Sequence, residues 1–437
     1  MLKSIVNVFK VPELKKKILF TLGILIVYRL GGHIPTPGIN TAAIGEFFAK
    51  SSNTLFGMYD LFVGGNLSKA TIFALGIMPY ITSSIVMQLL GAIIPFFEKL
   101  RKQGAEGQKK ITQYTRYGTV LIGTFNALGI TVFLESIPPT SLGPVVQYPG
   151  FMFKFITIIT FVAGTIFIMW LGEQITEKGI GNGISLIIFI GIIARYPNGF
   201  LNMGNMVASG TMSIMLAVLI LIIMVVVTAA VIVITEAMRK IPVQYAKRVI
   251  GRKIYGGQST HIPLRVNSAG VIPIIFAQSV LMFPQTITTF FKDSEFMHTI
   301  SNWLSPGAAL YTILYVLLII FFAYFYTAIV LNPVEIADNM KKYGGFIPGR
   351  KPGKKTAEYI NSVITRITLP GALFFACIAV MPTFLMTYAR VPFYFGGTGL
   401  IIIVGVALDT LQQIESHLVM RHYDGFMKKG KLRGRRR

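Results

Sequence analysis

Long apolar runs recur along this chain, divided by short polar or basic stretches. A helix needs roughly 20 apolar residues to cross a bilayer. Ten runs approach or reach that length, at 18–30, 72–94, 118–134, 153–171 and 183–196, then 213–235, 269–290, 310–331, 367–388 and 399–414. The first, fifth and tenth are short, and are expected to begin or end in the interface or to lean on neighbours. Ahead of the first run, Leu2 to Lys17 alternates apolar and basic residues, which fits an interfacial amphipathic helix over residues 1–17. Lysines followed by an apolar run also suggest a signal peptide. Arg29 closes the run, however, and no A-x-A-like site follows closely, so it is read as a retained first span.

Composition sharpens this reading. Hydrophobic residues make up 53% of the chain and charged residues 13%, with mean hydropathy +0.64. A soluble domain carries roughly 25% charged residues. Half that number cannot cover a water-facing surface, and the apolar content also excludes intrinsic disorder. The net charge of +24 points to an anionic partner, lipid headgroups or nucleic acid. Cys377 is the only cysteine, so an intrachain disulfide or a cysteine metal cluster is impossible.

The basic residues also orient the chain. Of 41 Lys and Arg, 34 fall in the two tails and in alternate loops, while the loop at 136–150 on the opposite side has no charge. By the positive-inside rule both termini are expected to be cytoplasmic. Two basic loops are long. The segment 237–267 carries Arg239, Lys240, Lys247, Arg248, Arg252 and Lys253 in an alternating pattern that predicts a hairpin. The segment 332–365 contains YGGFIPGRKPGKK from Tyr343 to Lys355, a turn-rich basic tip. Each is explained either by orientation alone or by docking of an acidic or RNA partner.

Residues 35–70 are rich in Gly, Ser and Asn, yet hold the apolar stretch 55–63, interrupted by Asp60 and followed by Gly64, Gly65 and Asn66. This segment is either an outer surface loop or a short re-entrant helix. The second requires burial in protein or a water-filled cavity.

Catalytic chemistry finds little support. Near the spans the acids are Asp60, Glu135, Glu335 and Asp409, and the five histidines fall in loops or at span ends. The glycine-rich turn Gly179 to Gly183 lacks the Lys-Ser/Thr of a phosphate loop and reads as a tightly packed start to the fifth span. A secondary transporter needs ionisable groups at mid-span, and an intramembrane enzyme a Ser/His or Asp pair at depth; neither pattern is present. The spans instead carry neutral polar residues that must avoid lipid: Thr82, Ser83, Ser84 and Gln88, then Asn126, then Gln278 and Ser279. Pro79 and Pro273 are expected to kink or loosen spans two and seven.

Four ordered motifs carry a resemblance to a known family. They are IFALGIMPYITSSI from Ile72 to Ile85, GEQITEKGIGNGIS from Gly172 to Ser185, QSTHIPLRVN from Gln258 to Asn267, and VPFYFGGT from Val391 to Thr398. Together they resemble the SecY family, the channel subunits of the bacterial Sec translocon, over essentially the whole chain. The resemblance implies an all-α polytopic membrane protein, not an enzyme, which needs no cofactor. Ten transmembrane helices would form two pseudo-symmetric five-helix halves, 18–196 and 197–414, around a central hourglass pore, with a basic tail at 415–437.

The resemblance also implies site roles. The pore ring falls on Ile77, Ile81, Ile184, Ile188, Ile275 and Ile402. Ile77 and Ile81, like Ile184 and Ile188, are spaced i,i+4 and share a helix face. A ring of branched apolar side chains dewets and blocks ions, yet can move aside for a passing chain. The re-entrant stretch at about 55–69 becomes a plug, including Leu55, Gly57, Met58, Tyr59, Asp60, Leu61, Phe62, Gly64 and Gly65. The seam of spans two and three with seven and eight becomes a lateral gate bearing Thr82, Ser83, Gln88, Asn126, Gln278 and Ser279. A few hydrogen bonds of about 1 kcal/mol each would hold it. Implied partners are the small subunits SecE and SecG, the SecA motor ATPase, the ribosome, signal sequences and nascent polypeptides. Arg239, Lys240, Lys247 and Arg248 in the loop at 236–267, with Arg350, Lys351, Lys354 and Lys355 in the loop at 332–366, would dock the motor or ribosome. The family usually has Arg directly before Pro-Gly at the second tip. Here Lys351 stands there, after Arg350, and lysine lacks the planar bidentate fork.

Overall fold

A computed structural model describes residues 11–50, 57, 59–60, 63–245, 248–250, 253–255, 259–288, 295–305, 307–389 and 397–429. In chain order the first helices are α1 (Pro12–Gly31), α2 (Thr41–Lys50), α3 (Met78–Ile93), α4 (Pro95–Lys102), α5 (Ala105–Glu135), α6 (Phe151–Lys178), α7 (Gly183–Ile193), α8 (Tyr196–Ala208) and α9 (Ile214–Glu236). Four strands follow: β1 (Met238–Tyr245), β2 (Arg248–Ile250), β3 (Lys253–Tyr255) and β4 (Ser259–Arg265). The remainder is α10 (Ile272–Thr288), α11 (Glu295–Trp303), α12 (Ala309–Val330), α13 (Pro333–Lys342), β5 (Gly345–Phe346), α14 (Lys354–Ala389) and α15 (Gly397–Lys429). Each of the ten apolar runs contains helix. Among the described residues seven helices are long and apolar enough to cross a membrane, and an eighth if α3 and α4, bent by 97°, count as one span.

Proline sets two helix starts that were expected to be kinks. Pro79 is the second residue of α3 and Pro273 the second of α10, where the missing N–H has no helical partner to lose. The second apolar run therefore turns helical only at Met78. Residues 72–77 are a series of turns, with Ala74 N–H on Thr71 and Gly76 N–H on Phe73. Pro95 acts likewise at the bend: Ile94 is extended, and Pro95 opens α4.

The chain divides into two compact units. The first comprises Met1–Ser84, Thr112–Asn198 and Gly405–Arg437. One core joins α2, the turns at 67–75, α5 and α6 through Ile44, Phe48, Leu67, Leu75, Leu134 and Phe161. The close of the chain belongs here because Gln413 Oε1 accepts the Gly181 N–H at 3.0 Å and Ile414 packs with Leu14 and Ile180.

The second unit comprises Ile85–Ile111 and Gly199–Val404. Its inclusion of the α4 segment is visible in Arg101, whose Nη2 donates at 2.9 Å to the Ile329 carbonyl near the end of α12. A cation there complements the helix dipole and one of the unpaired carbonyls. The predicted hairpin is present as β1 against β4, antiparallel, with Ile241 opposite Ile262. The short β5 adds to the other edge of β1, giving the order β4-β1-β5. Both long basic loops thus share one sheet. Ile241, Val243 and Leu264 pack with Met340, Ile347, Ile360 and Ile364 beneath it.

Candidate functional site

Four of the six isoleucines that the resemblance assigns to a pore ring belong to the first unit. Ile77 ends the turns before α3, and the Ile81 N–H bonds its carbonyl at 3.1 Å, so the i,i+4 spacing holds across the helix start. Ile77, Ile81 and Ile188 are buried. Ile184 is half-buried, facing Gly172 of α6. Asn182 fixes the start of α7 by accepting from the Ile184 and Ser185 N–H groups. In the second unit Ile275 lies in the first turn of α10 and Ile402 in α15, both buried.

The stretch read as a plug meets its unit through named bonds. Leu55, Met58, Leu61 and Phe62 lie outside the described residues. Gly57, Tyr59 and Asp60 are helical. Tyr59 donates its hydroxyl at 2.9 Å to the Leu75 carbonyl. That carbonyl stands four residues before Pro79, which has no N–H to offer it. Asp60 is buried and pairs with Arg195, whose Nη2 lies 2.9 Å from Oδ2. Gly64 and Gly65 follow in left-handed conformation, at φ +77° and +85°. A Cβ on Gly64 would stand 2.7 Å from the Gly191 Cα. Arg195, a lone arginine closing an apolar run, was not singled out from the sequence. That isolation was its available signal.

Four of the six neutral polar residues assigned to the seam have partners within their own units. Thr82 donates to Met78, and Ser83 at 2.7 Å to the Thr115 carbonyl of α5. Gly118, beside Ser83, leaves no room for a Cβ. Ser279 donates to Ile275, and Gln278 Oε1 accepts from the Tyr311 hydroxyl of α12 at 3.4 Å. Gln88 and Asn126 are half-buried in α3 and α5.

The basic residues occupy the sheet and its tip. Arg239 and Lys240 are exposed on β1, opposite Leu264 and Pro263. Arg248 lies in β2, and Lys247 is outside the described residues. Arg350, Lys351, Lys354 and Lys355 are exposed. Gly349 and Gly353, at φ +77° and +95°, turn the chain on either side of Lys351. The Arg350 guanidinium lies 5.0 Å from the centre of the Tyr359 ring, a cation–π distance that orients its fork. Among the described residues no group of three or more His, Cys, Asp or Glu is placed to hold a metal ion.

Comparison with known proteins gives one answer. The family model described as SecY matches residues 71–411. The protein translocase subunit SecY of Aquifex aeolicus is 46% identical over 423 residues, 96% of this chain and 98% of that protein. The Escherichia coli K12 subunit of the same name is 46% identical over 425 residues, 97% and 96% of the two chains. Among solved structures, one titled as a protein conducting channel has a TM-score of 0.67 at 19% identity, covering 93% of each chain. Sec61 in the canine ribosome-channel complex from the endoplasmic reticulum has a TM-score of 0.63, also at 19% identity and 93% coverage of each chain. At these identities the structures establish the fold, while the family follows from the sequence matches. Colinear over nearly its whole length with translocase subunits and folded like a protein-conducting channel, the chain belongs to the SecY family.

Proposed function

We propose that this chain is the protein-conducting channel subunit of a bacterial translocase, a multi-pass protein of the cytoplasmic membrane. It passes unfolded secretory polypeptides across and releases hydrophobic segments sideways into lipid. The observation that carries this reading is the 46% identity to translocase subunits over 96% of the chain. In this reading ten helices span the membrane in two halves around an hourglass pore, with both termini in the cytoplasm. Ile77, Ile81, Ile184, Ile188, Ile275 and Ile402 form the constriction, and the segment at 55–69 seals it. SecE and SecG brace the channel. SecA or the ribosome supplies the driving force, and anionic lipid headgroups meet the basic face.

The lateral gate lies between spans two and three and spans seven and eight. Ser83 bonds within one unit and Gln278 within the other.

Docking is assigned to the sheet and tip. A vesicle transport assay tests the function, and a sedimentation binding assay tests this assignment. Wild-type channel with its small subunits and motor is expected to carry a secretory precursor into protease protection. Arg350→Glu with Lys351→Glu is expected to assemble normally and to weaken motor or ribosome binding by about tenfold or more, since two charges reverse at an exposed interface. Normal binding in a sedimentation assay would remove the docking role. A wild-type protein that transports no precursor would return the chain to the solute-carrier class.

A further inference from the structure

α6 closes with the Gly179 N–H on the Ile175 carbonyl at 2.8 Å. The N–H groups that follow turn to side chains. Ile180 donates at 3.1 Å to Thr21 Oγ1 of α1, Gly181 at 3.0 Å to Gln413 Oε1 of α15, and Gly183 at 3.0 Å to Thr176 Oγ1 of α6. Asn182 then caps α7. All of these residues lie in the first unit.

The two threonines are set up alike. Each hydroxyl donates one turn back in its own helix, Thr21 to the Lys17 carbonyl and Thr176 to the Gly172 carbonyl, both at 3.0 Å. The oxygen is thereby left as an oriented acceptor for the turn. The turn sits close against both outer helices. A Cβ on Gly179 would collide with Thr21 Oγ1, and one on Gly181 would stand 3.2 Å from Thr410 Oγ1 of α15. Ile180 itself is buried with Leu14, and Ile414 packs against them.

These bonds are of two kinds. Asn182 and Thr176 are neighbours in sequence and secure the start of α7 locally. Thr21 and Gln413 stand 159 and 232 positions from the N–H groups they accept, and fix where that start sits against α1 and α15.

We propose that Thr21 and Gln413 are positioning residues for Ile184 and Ile188, setting the rotation and height of α7 and with it the first unit's share of the assigned constriction. The inference rests on the channel reading above. Thr21 is 5% exposed, so without its hydroxyl the Ile180 N–H is buried and unpaired, and the turn shifts to find another acceptor. Gln413 is exposed, so water replaces its oxygen at smaller cost. Thr21 therefore has the larger effect. α7 stays helical in either case, because its local bonds remain.

The test reads the placement of α7 by thiol labelling of the assembled channel in vesicles, in a Cys377→Ala background. Ile188→Cys reports on α7. Met169→Cys, similarly buried in α6, reports general loosening. The probe is a water-soluble maleimide. Thr21→Val is expected to raise the labelling rate at position 188 by about tenfold and Gln413→Leu by about threefold. Thr21→Ser and Gln413→Glu keep an acceptor oxygen and are expected within about twofold of the parent. Thr124→Val is the control, since it loses a hydroxyl bonded back to Val120 in its own helix, and is expected to change nothing. Labelling at position 169 stays at the parent rate throughout. Unchanged labelling at 188 in Thr21→Val overturns the positioning role. So does an equal rise at 169, which marks a merely structural role, or failure of Thr21→Ser to restore the parent rate. Transport of a secretory precursor by the wild-type vesicles is measured alongside. Its absence overturns the channel reading alone, because the labelling contrast decides the placement of α7 without transport.

Discussion

Planar bilayers containing the channel with Ile81→Ser and Ile188→Ser are expected to conduct ions at rest, by about tenfold or more above wild type. The reason is hydration. A narrow apolar constriction is unfavourable for water, and an ion cannot cross where water will not stay. Ile81 and Ile188 are 6% and 4% exposed, each one turn beyond another member of the assigned ring. Serine removes the branched methyls and adds a donor and an acceptor, so water is stabilised at the constriction. Both helices have independent supports: the Ile81 N–H bonds Ile77, and Asn182 caps α7. The expected phenotype is leak together with relaxed signal stringency, without loss of assembly. Unchanged conductance would withdraw Ile81 and Ile188 from the ring.

Gly183→Ala is expected to destabilise the channel by about 1–3 kcal/mol, the range typical of overpacking, and toward its upper end because the backbone it meets cannot yield. Gly183 opens α7, and its N–H bonds the Thr176 hydroxyl at 3.0 Å. A Cβ there would collide with the Gly172 carbonyl oxygen and stand 2.8 Å from the Ile175 Cβ. The first obstacle is the main chain of α6 and the second a Cβ fixed to it, so no side-chain rotation relieves them. The same approach brings Ile184 against Gly172, so the glycine seam also positions a residue assigned to the ring. Thermal unfolding of the purified complex checks this. Gly204→Ala is the control, because a Cβ at Gly204 meets nothing within 4 Å. Equal melting of the two variants would contradict the packing account.

Apolar run length made the helices legible, since crossing a bilayer fixes that length whatever the neighbours are. Alternation made the β1–β4 hairpin legible for the same local reason. The start of α3 was legible in principle at Pro79, but the continuous apolar run from Ile72 concealed six residues of turns. β5 was not legible: two residues have no period, and their pairing with Gln244 and Tyr245 depends on a contact about a hundred positions away. Asp60 read locally as an interruption of an apolar stretch. Its meaning lies in Arg195, 135 positions along the chain. The same limit hid Tyr311 as the partner of Gln278. The six isoleucines assigned to the ring were not separable from dozens of other buried aliphatics by any physical property. Only the ordered motifs of the family single them out.

The most direct test of the account exploits Cys377, the only cysteine. With Cys377→Ala as background, Ile81→Cys places one thiol at the assigned constriction. A secretory precursor is then stalled midway, with its own single cysteine in the mature region. The account predicts a disulfide between the two that forms only when the precursor carries a functional signal sequence. If transport proceeds and no disulfide forms there, nor at Ile188→Cys or Ile402→Cys, the polypeptide takes another path and the assigned pore is wrong.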